Sequence, residues 1–505
     1  MKDLLNSSQM KACDKYTIEE IGIPSSVLME RAALSVVQEI LKDYLPEEIT
    51  AVIMAGTGNN GGDGIAIGRI LKEQGAQVQI VTTGNLEKCS EEMKRQMAIA
   101  EKMGISIKMY DDSLTGEYNV IVDALFGIGL SRPIGGIFQS AIQWINQKKV
   151  SRKGVSVYAV DIPSGIDADN GELLGCGVLA DKTVTFQYGK PGLYMDVGRM
   201  YAGKVVIKNI GISSQPIKQG QIIPNIFCYE PEDIKRLPPR ADNGHKGTFG
   251  KVLIIAGSKN MAGAAVFSAE SAYRTGCGLV EVFTVEENRV IVQEQIPEAI
   301  LTTYKDILDS FEKLKHAIEK ADVIVLGPGI SLSLQAEKLV EYTMANAVKP
   351  CVVDADAINI LAKHPEWLKA KKSPCILTPH IKELARLSGK EVSEVKRTYI
   401  TTAKEIAKHY NCIVAAKDAR TIVVGGQENT CYLNLSGCSG MATGGSGDVL
   451  TGIIAGLLAQ KMSLYEAACL GVYIHGLAGE TAQEKLGGYS MTARDLIGNL
   501  HNIIR

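Results

Sequence analysis

The stretch Gly440–Gly452 constrains this chain more than any other, and it reads Gly-Met-Ala-Thr-Gly-Gly-Ser-Gly-Asp-Val-Leu-Thr-Gly. Glycines crowd it up to Asp448, and from Val449 apolar residues recur with helical spacing. The pattern predicts a glycine-rich loop that leads directly into a helix. The N–H groups of such a loop can close around phosphate oxygens, where the helix dipole adds partial positive charge. The stretch therefore predicts a phosphate-binding site.

Asp448 lies where a bound phosphate repels a carboxylate, unless that carboxylate takes a proton or lies near a cation. We interpret it as a general base aimed at a hydroxyl next to the phosphoryl group. The alternative is a tight turn in which Asp448 caps the helix, since aspartate is a common N-cap residue and glycine is common in turns. The residues leave both interpretations open.

The composition indicates two or three domains, because 505 residues exceed what one core serves. Hydrophobic residues make up 46% and charged residues 22%, as in ordinary globular proteins. The formal net charge of -2 gives no electrostatic case for binding nucleic acid or an anionic membrane. We expect a cytoplasmic protein, because the sequence shows neither a membrane-length apolar span nor the apolar core of a signal peptide.

The 11 cysteines are scattered singly, without a Cys-x-x-Cys pair. This pattern favours reduced, mostly structural thiols over a disulfide framework or a zinc site. Any metal ion would therefore have to be held by oxygen ligands.

In the first half, the β-rich run Thr50–Ala55 leads into the glycine-rich stretch Asn59–Gly64, and a helical pattern follows from Ile65. Strand, glycine loop and helix together place a phosphate-bearing ligand at the carboxyl edge of a parallel sheet. The polar side chains of this loop distinguish it from the dinucleotide-binding fingerprint. They suit hydrogen bonds to ribose or amide groups, or an oxygen-ligated cation; a simple turn is the alternative.

Two further acidic residues follow predicted strands, Asp123 after Val120–Val122 and Asp161 after Val155–Val160. Together with Asp63 they stand at corresponding strand ends, where doubly wound sheets gather their ligands. A single aspartate at a strand end is usually a cap, so the prediction of a site depends on the set.

The loops Asn59–Gly64, Asp123–Pro133 and Asp161–Asp169 resemble the N-terminal epimerase domain of the bifunctional NAD(P)H-hydrate repair enzymes. The resemblance implies a Rossmann-like three-layer α/β/α domain over residues 1–215, with Asp161 as the catalytic acid or base. It implies potassium bound by Asn60, Asp123 and Ser164, whose oxygens are the hard ligands that such a cation prefers. It also implies that the hydrated nucleotide binds Asn59, Asn60, Gly61, Gly62, Asp63, Gly127, Ile128, Gly129, Leu130, Ser131, Arg132 and Pro133.

The polar segment Gly211–Pro224 has no clear period, and we place the domain boundary there. Beyond it, short β runs alternate with helical segments, which predicts a central, mostly parallel sheet covered on both faces. The predicted strands are Lys251–Ala256, Val323–Leu326, Cys351–Val353, Cys375–Leu377 and Cys412–Ala416. Loops at one edge of this sheet are expected to line one cleft.

His380 follows one of these strands and precedes Glu383 by three residues. Imidazole can serve as an acid, a metal ligand, a donor to substrate or a purely structural hydrogen-bonding group. The residues do not decide among these roles.

The run Ala442–Asp448 resembles the signature of the ribokinase-like NAD(P)H-hydrate dehydratases, and the resemblance extends over most of the second half. It implies a ribokinase-like α/β domain over residues 225–505, in which Asp448 is catalytic and Glu383 holds a magnesium-bound water. It implies that Ala264, Gly329 and His380 face the hydrate. The nucleotide would contact Lys417, Asp418, Ala419, Arg420, Thr421 and Gly447. Two positions depart from the family pattern, since Asp418 and Ser331 stand where glycines are expected.

The resemblance as a whole implies repair of hydrated NADH and NADPH (NADHX and NADPHX). One domain would interconvert the (R)- and (S)-epimers, and the other would dehydrate the (S)-epimer with ADP, or ATP, and Mg²⁺. It further implies a homo-oligomer with small-molecule partners, K⁺ in the first domain, and neither nucleic acid nor membrane as a partner. One alternative is a ribokinase-like kinase for a vitamin precursor with a ligand-sensing first domain, and another is a binding scaffold.

Overall fold

The computed structural model describes residues 1–151, 154–426 and 429–504. The chain divides into two compact units, one of residues Asp3–Ile226 and one of Met1–Lys2 with the chain from Phe227 onward. The segment that we predict as a join belongs to the N-terminal unit, where the Ser213 N–H donates to Thr17 Oγ1 at 2.9 Å. The assignment of one activity to each domain stays a prediction.

The strands, in chain order, are β1 (Lys2–Leu4), β2 (Thr50–Ala55), β3 (Gln77–Thr82), β4 (Ile107–Met109), β5 (Val120–Ala124), β6 (Ser156–Val160), β7 (Lys182–Phe186), β8 (Lys204–Lys208), β9 (Ile226–Cys228), β10 (Lys251–Ile255), β11 (Leu279–Val285), β12 (Ile300–Tyr304), β13 (Val323–Leu326), β14 (Cys351–Val353), β15 (Cys375–Leu377), β16 (Ile413–Ala416), β17 (Ile422–Gly425) and β18 (Cys431–Leu433).

The α-helices are α1 (Ser7–Glu19), α2 (Ser25–Ile40), α3 (Asn59–Glu73), α4 (Glu91–Lys102), α5 (Ile137–Ser151), α6 (Gly198–Ala202), α7 (Gln215–Lys218), α8 (Ala262–Arg274), α9 (Arg289–Gln295), α10 (Phe311–Lys320), α11 (Leu334–Asn346), α12 (Asp356–Lys363), α13 (Pro365–Ala370), α14 (Ile381–Ser388), α15 (Val392–Arg397), α16 (Tyr399–His409), α17 (Ser446–Ala459), α18 (Leu464–Leu486) and α19 (Ala493–Ile503). Within the described residues, none of them has the length and apolarity needed to cross a membrane.

The N-terminal unit is a three-layer α/β/α sandwich around the parallel sheet β4-β3-β2-β5-β6-β7-β8. Alternate residues of β2 enter different cores, because successive side chains of a strand point to opposite faces. Ile53 packs in the core that contains α2 and α3, whereas Val52 and Met54 pack in the core that contains α5. Both faces are therefore covered, and the predicted fold class is confirmed.

The central sheet of the C-terminal unit has the order β18-β17-β16-β15-β14-β13-β10-β11-β12. Strands β10 to β16 run parallel, and α8, α17, α18 and α19 cover one face through a large apolar core. Strand β17 is antiparallel to β16, so Lys417–Thr421 connects a hairpin rather than leading from a strand into a helix. The parallel α/β prediction is otherwise confirmed.

One local prediction is wrong, because α3 begins at Asn59 and not near Ile65. The glycines of this stretch suggest a loop, but they serve close packing within a helix. A Cβ built on Gly61 would lie 2.0 Å from the Gly56 carbonyl oxygen. Asn59–Asp63 thus forms the first turns of α3, directly after the carboxyl end of β2.

Gly452 lies where α17 packs closely against α8, and a substitution there tests this packing. A Cβ built there would lie 2.0 Å from Ser271 Oγ and 2.2 Å from the Ser268 carbonyl oxygen on α8. We expect Gly452→Ala to lower the free energy of unfolding of the C-terminal unit by about 1–3 kcal/mol, the usual cost of overpacking. Urea unfolding followed on this unit measures the change.

Gly498→Ala on α19 is the matched control, since no described atom lies within 4 Å of the added Cβ. Alanine there is expected to stabilise the helix by up to about 1 kcal/mol. Equal unfolding midpoints for the two variants would contradict the close approach of α17 to α8.

Candidate active sites

The glycine loop of the C-terminal unit ends at Gly445, which occupies the left-handed region with φ +89° and is the N-cap of α17. The helix has no side-chain cap at this end, and although the Ser446 N–H donates to the Thr443 carbonyl oxygen at 3.4 Å, the N–H groups that follow it can bind an anion. Asp448 is the third residue of the helix rather than its cap, and the interpretation of Asp448 as an N-cap is wrong. From Val449 to Ala459 every residue is buried, which fixes the helix axis.

The pKa of the Asp448 carboxyl lies well above that of an ordinary aspartate. Burial, reinforced by the charge of Asp354, raises the pKa of Asp448 to about 7, and the nearby Lys417 ammonium opposes that rise. A carboxyl with a pKa near neutrality suits proton transfer at ordinary pH. The environment is therefore that expected of a general base.

Asp354 follows β14 and connects several parts of this site. Its Oδ1 accepts a hydrogen bond from Lys417 Nζ at 2.6 Å, and its Oδ2 accepts one from Thr451 Oγ1 at 2.8 Å. A Cβ built on Gly447 would lie 3.3 Å from Lys417 Nζ and 3.6 Å from Asp354 Oδ2. The Lys417 ammonium thus lies beside the glycine loop, where it can contact a phosphate.

His380 is the N-cap of α14. Its Nδ1 accepts hydrogen bonds from the N–H groups of Lys382 at 3.1 Å and Glu383 at 3.2 Å, and the Glu383 carboxylate accepts one from the His380 N–H at 2.9 Å. Burial and the charge of Lys417 lower the pKa of His380, which agrees with a neutral ring. The proton then lies on Nε2, 3.3 Å from Glu383 Oε1.

This arrangement gives His380 a structural role. About half of its side chain is still exposed to solvent. Glu383 is almost fully buried, and burial raises its pKa to about 7. Asp354 also raises the pKa of Glu383, so acidic charge accumulates at this edge of the sheet.

Of the other predicted hydrate-binding residues of this unit, Ala264 lies in the first turn of α8 and Gly329 follows β13. A Cβ built on Gly329 would lie 2.8 Å from the Ala264 Cβ, so these two residues are in close proximity. Ser331 adopts φ +71°, the region that favours glycine, which accounts for the family preference at this position. Its N–H donates to Asp356 Oδ2 at 2.8 Å.

In the N-terminal unit, the first turn of α3 and the loop after β5 lie together. Gly58 is the N-cap of α3 and provides no side-chain cap, so this helix end is also open to an anion. A Cβ built on Gly127 would lie 3.3 Å from Asn60 Oδ1. Farther along the loop, Gly129, Ser131, Arg132 and Pro133 are exposed.

Asp123 and Ser164 form a fully buried pair at the ends of β5 and β6. Asp123 accepts hydrogen bonds from Ser164 Oγ at 2.6 Å and from the Ser164 N–H at 2.8 Å. Burial raises the pKa of Asp123 to about 6, although these hydrogen bonds oppose the rise. The side-chain amide nitrogen of Asn60 is buried without a hydrogen-bond partner in the described residues.

Asp161 follows β6 with φ +65°. Its Oδ1 accepts hydrogen bonds from Lys190 Nζ at 2.5 Å, Thr185 Oγ1 at 3.0 Å and the Phe186 N–H at 3.1 Å. Desolvation raises the pKa of Asp63 well above its ordinary value, and the charge of Asp161 adds to the rise. Two of the three predicted strand-end carboxylates therefore interact electrostatically.

Comparison with known proteins agrees with the division of the chain into two units. Residues 25–192 match the model of the YjeF-related protein N-terminus, and residues 252–502 match that of the NAD(P)H-hydrate dehydratases. The bifunctional NAD(P)H-hydrate repair enzyme Nnr of Thermofilum pendens is 33% identical over 99% of this chain and 95% of its own length. Its counterpart in Coxiella burnetii is 34% identical over the full length of both chains.

The chain belongs to the bifunctional NAD(P)H-hydrate repair enzymes. A ribokinase-like superfamily protein from Enterococcus faecalis is structurally similar, with a TM-score of 0.50 and 25% identity, over 55% of this chain and 95% of its own. The predicted family and the predicted ribokinase-like fold are confirmed.

The structure of this repair enzyme adds residues that sequence reasoning missed. Asp354 orients Lys417, and Lys190 pairs with Asp161, although the partners lie 63 and 29 positions apart in the chain. Among the predicted nucleotide contacts, Asp418 and Ala419 are exposed, and Arg420 donates to the Leu435 carbonyl at 2.6 Å. The sequence signal that could have identified Asp354 is its position directly after the predicted strand Cys351–Val353.

The raised pKa of Asp448 predicts a pH dependence of stability. Between about pH 4 and 7 the folded repair enzyme binds a proton at Asp448 that the unfolded chain has released, so this group makes stability fall as pH rises. We expect Asp448→Asn to flatten the decline in urea unfolding midpoint between about pH 4 and 7. Glu383 leaves a residual dependence of the same sign.

The exposed Asp242→Asn is the control, and it should follow the wild-type curve. A pH dependence of Asp448→Asn identical with that of the wild type would contradict the electrostatic environment described for Asp448.

Proposed function

We propose that the C-terminal unit dehydrates (S)-NADHX and (S)-NADPHX with ADP or ATP, and that the N-terminal unit interconverts the (R)- and (S)-epimers. The observation that carries the dehydratase assignment is the Asp448 carboxyl, whose pKa is about 7, on an uncapped helix beside the Lys417 ammonium. A phosphate site, a base and a cation are the three groups that activation of a poor leaving group requires.

The substrate has gained water across a ring double bond, and its C6 hydroxyl is a poor leaving group. In the proposed reaction Asp448 accepts the hydroxyl proton while the phosphoryl group moves to that oxygen. The N–H groups at the start of α17 and the Lys417 ammonium stabilise charge on the moving group. Loss of phosphate from C6 and of a proton from C5 then restores the dihydropyridine.

Magnesium fits the acidic edge at which Glu383, Asp354 and Asp448 lie. Asp354 raises the pKa values of Glu383 and Asp448, so the site holds acidic charge that a divalent cation would offset. Glu383 would hold the ion through a water molecule, and the ion would supply charge neutralisation at the nucleotide phosphates.

Potassium fits the buried oxygens of the N-terminal unit. In the part of the chain that the structure describes, no lysine or arginine pairs with the buried Asp123 carboxylate, whose hydrogen bonds come from the Ser164 hydroxyl and N–H. Amide, carboxylate and hydroxyl oxygens of Asn60, Asp123 and Ser164 are the donor set such a cation prefers. When bound, it would balance the Asp123 charge.

The epimerase assignment depends on the family and on the carboxylates near the start of α3. Asn59–Asp63 and Gly127–Pro133 would hold the hydrate, and Asp161 would move a proton while the configuration at C6 changes. Because a chiral dehydratase pocket accepts one epimer, an epimerase in the same chain lets both be repaired. A cytoplasmic location, a homo-oligomeric state and the choice of nucleotide stay predictions.

The two assignments predict separable variants. With a mixed-epimer preparation of NADHX, Mg²⁺ and K⁺, the wild type is expected to recover the near-ultraviolet absorbance of NADH completely when ADP or ATP is added. Asp448→Asn should slow dehydration by about 10²–10⁴-fold, because it removes the general base, and should leave epimerisation intact. Asp161→Asn should stop recovery once the (S) fraction is consumed.

A stable phosphorylated product without NADH formation would overturn the dehydratase proposal and favour the small-molecule kinase. Full epimerase activity in Asp161→Asn would rule out the proton-transfer role of that residue. Reactions with ADP, with ATP and without nucleotide identify the phosphoryl donor.

A further inference from the structure

Lys190 has no solvent exposure, and its surroundings use its full hydrogen-bonding capacity. The ammonium donates to Asp161 Oδ1 at 2.5 Å, Thr185 Oγ1 at 2.9 Å and the Phe186 carbonyl oxygen at 3.0 Å. An ammonium has three protons, so all of them are occupied. Lys190 therefore cannot donate to a bound substrate in this arrangement.

Placing an ammonium in the interior is costly unless a carboxylate compensates it. Desolvation lowers the pKa of Lys190, and the charge and hydrogen bond of Asp161 oppose that decrease. Structural stability alone does not account well for such a pair, because apolar residues of similar volume are often at least as stabilising. The position of the pair in the proposed epimerase site suggests a role in that site.

The Asp161 carboxylate is held on one side only. Lys190, Thr185 and the Phe186 N–H all donate to Oδ1, and within the described residues Oδ2 accepts no hydrogen bond. The backbone of Asp161 adopts φ +65°, which the surrounding structure must hold in place. One oxygen is thus anchored and the other is left for chemistry.

Two more carboxyl groups face this pair. The pKa values of Asp63 and Asp14 are both raised, first by desolvation and then by the charge of Asp161. Lys190 is the ion-pair partner of Asp161, whereas Asp63 and Asp14 have no ion-pair partner among the described residues. The lysine therefore determines which of the three carboxyl groups carries the compensated charge.

We propose that Lys190 is a positioning residue of the epimerase, which anchors Oδ1 of Asp161 and keeps that carboxylate charged while Oδ2 exchanges a proton with the substrate. The proposal rests on the epimerase function proposed above. Because Lys190 acts through Asp161 and is buried, its loss should affect kcat rather than KM.

The test is Lys190→Met in the full chain, which removes the charge and keeps an unbranched side chain. Without its cation, the buried Asp161 should need a higher pH to ionise, so the acidic limb of the epimerase pH–rate profile should move by about 1–3 pH units to higher pH. On the acidic limb, at a pH below both inflections, kcat should be about 10–10³-fold lower than in the wild type for that shift, with KM unchanged. Dehydration of pure (S)-NADHX by the same chain checks the C-terminal unit, and the urea unfolding midpoint of the N-terminal unit checks the fold around position 190.

Thr185→Val and Lys88→Met are the controls. The first removes one hydrogen bond to Asp161 and one acceptor of Lys190 but keeps the ion pair, so its pH limb should move less than that of Lys190→Met. The second makes the same substitution at an exposed lysine and should leave the profile unchanged. If the N-terminal unit of Lys190→Met unfolds, Lys190→Arg replaces it, and retention of the wild-type pH limb with a reduced kcat supports the proposal.

An unshifted pH limb in folded Lys190→Met, or an increase in KM alone, would overturn the positioning role. In Lys190→Arg, a pH limb shifted as though the charge were lost would also overturn it. Absence of epimerase activity in the wild type is a different outcome, because it refutes the proposed function of the N-terminal unit rather than the role of Lys190.

Discussion

A carboxylate taken out of water must be compensated, and both candidate sites are organised by how their carboxylates meet this requirement. Parallel strands buried on both faces end together, and their last residues bring acidic side chains to one edge. At the end of β14, Asp354 is compensated by Lys417 and Thr451. At the end of β6, Asp161 is compensated by Lys190. Each lysine thereby acquires a fixed position.

The carboxyl groups that lack such a partner have raised pKa values. Burial raises the pKa of Asp448 and of Glu383 to about 7, and that of Asp123 to about 6. These groups are the ones for which the proposed function requires a proton or a cation. Asp448 would take a proton from the substrate, whereas Glu383 and Asp123 would face Mg²⁺ and K⁺. The uncompensated charge is thus available for binding and catalysis instead of being neutralised within the fold.

Much of the fold could be predicted, because apolar β runs between glycine-rich stretches are a strong local signal. The predicted bounds of Thr50–Ala55, Val323–Leu326 and Cys375–Leu377 agree with the observed strands. The start of α3 was predicted six residues too late, since the sequence does not distinguish a glycine that permits a turn from one that permits close packing. The hairpin after β16 was missed for a similar reason, because strand direction depends on tertiary pairing.

Candidate site residues could be named from the sequence where they follow a strand end or a glycine loop, as at Asp161, Asp123 and Asp448, and their roles stay predictions. The site was not predictable where a residue acts through a distant partner. Lys190 lies in an unremarkable Gly-Lys-Pro sequence, and nothing local indicates that its ammonium reaches back to Asp161. His380 shows another limit, because the residues left its role open and did not indicate that a ring nitrogen caps α14; its predicted contact with the hydrate stays a prediction.

The two aspartates proposed for catalysis therefore differ in a way that fits their separate reactions. Asp448 has no ion-pair partner in the described residues, and its carboxyl can lose and regain a proton near neutral pH as a phosphoryl group arrives. Asp161 is paired on one oxygen and open on the other. A base that works beside an incoming anion benefits from weak compensation, because its charge must vary during the reaction. A group that moves a proton while the configuration at C6 changes benefits from a fixed position, because both epimers must be served by the same oxygen.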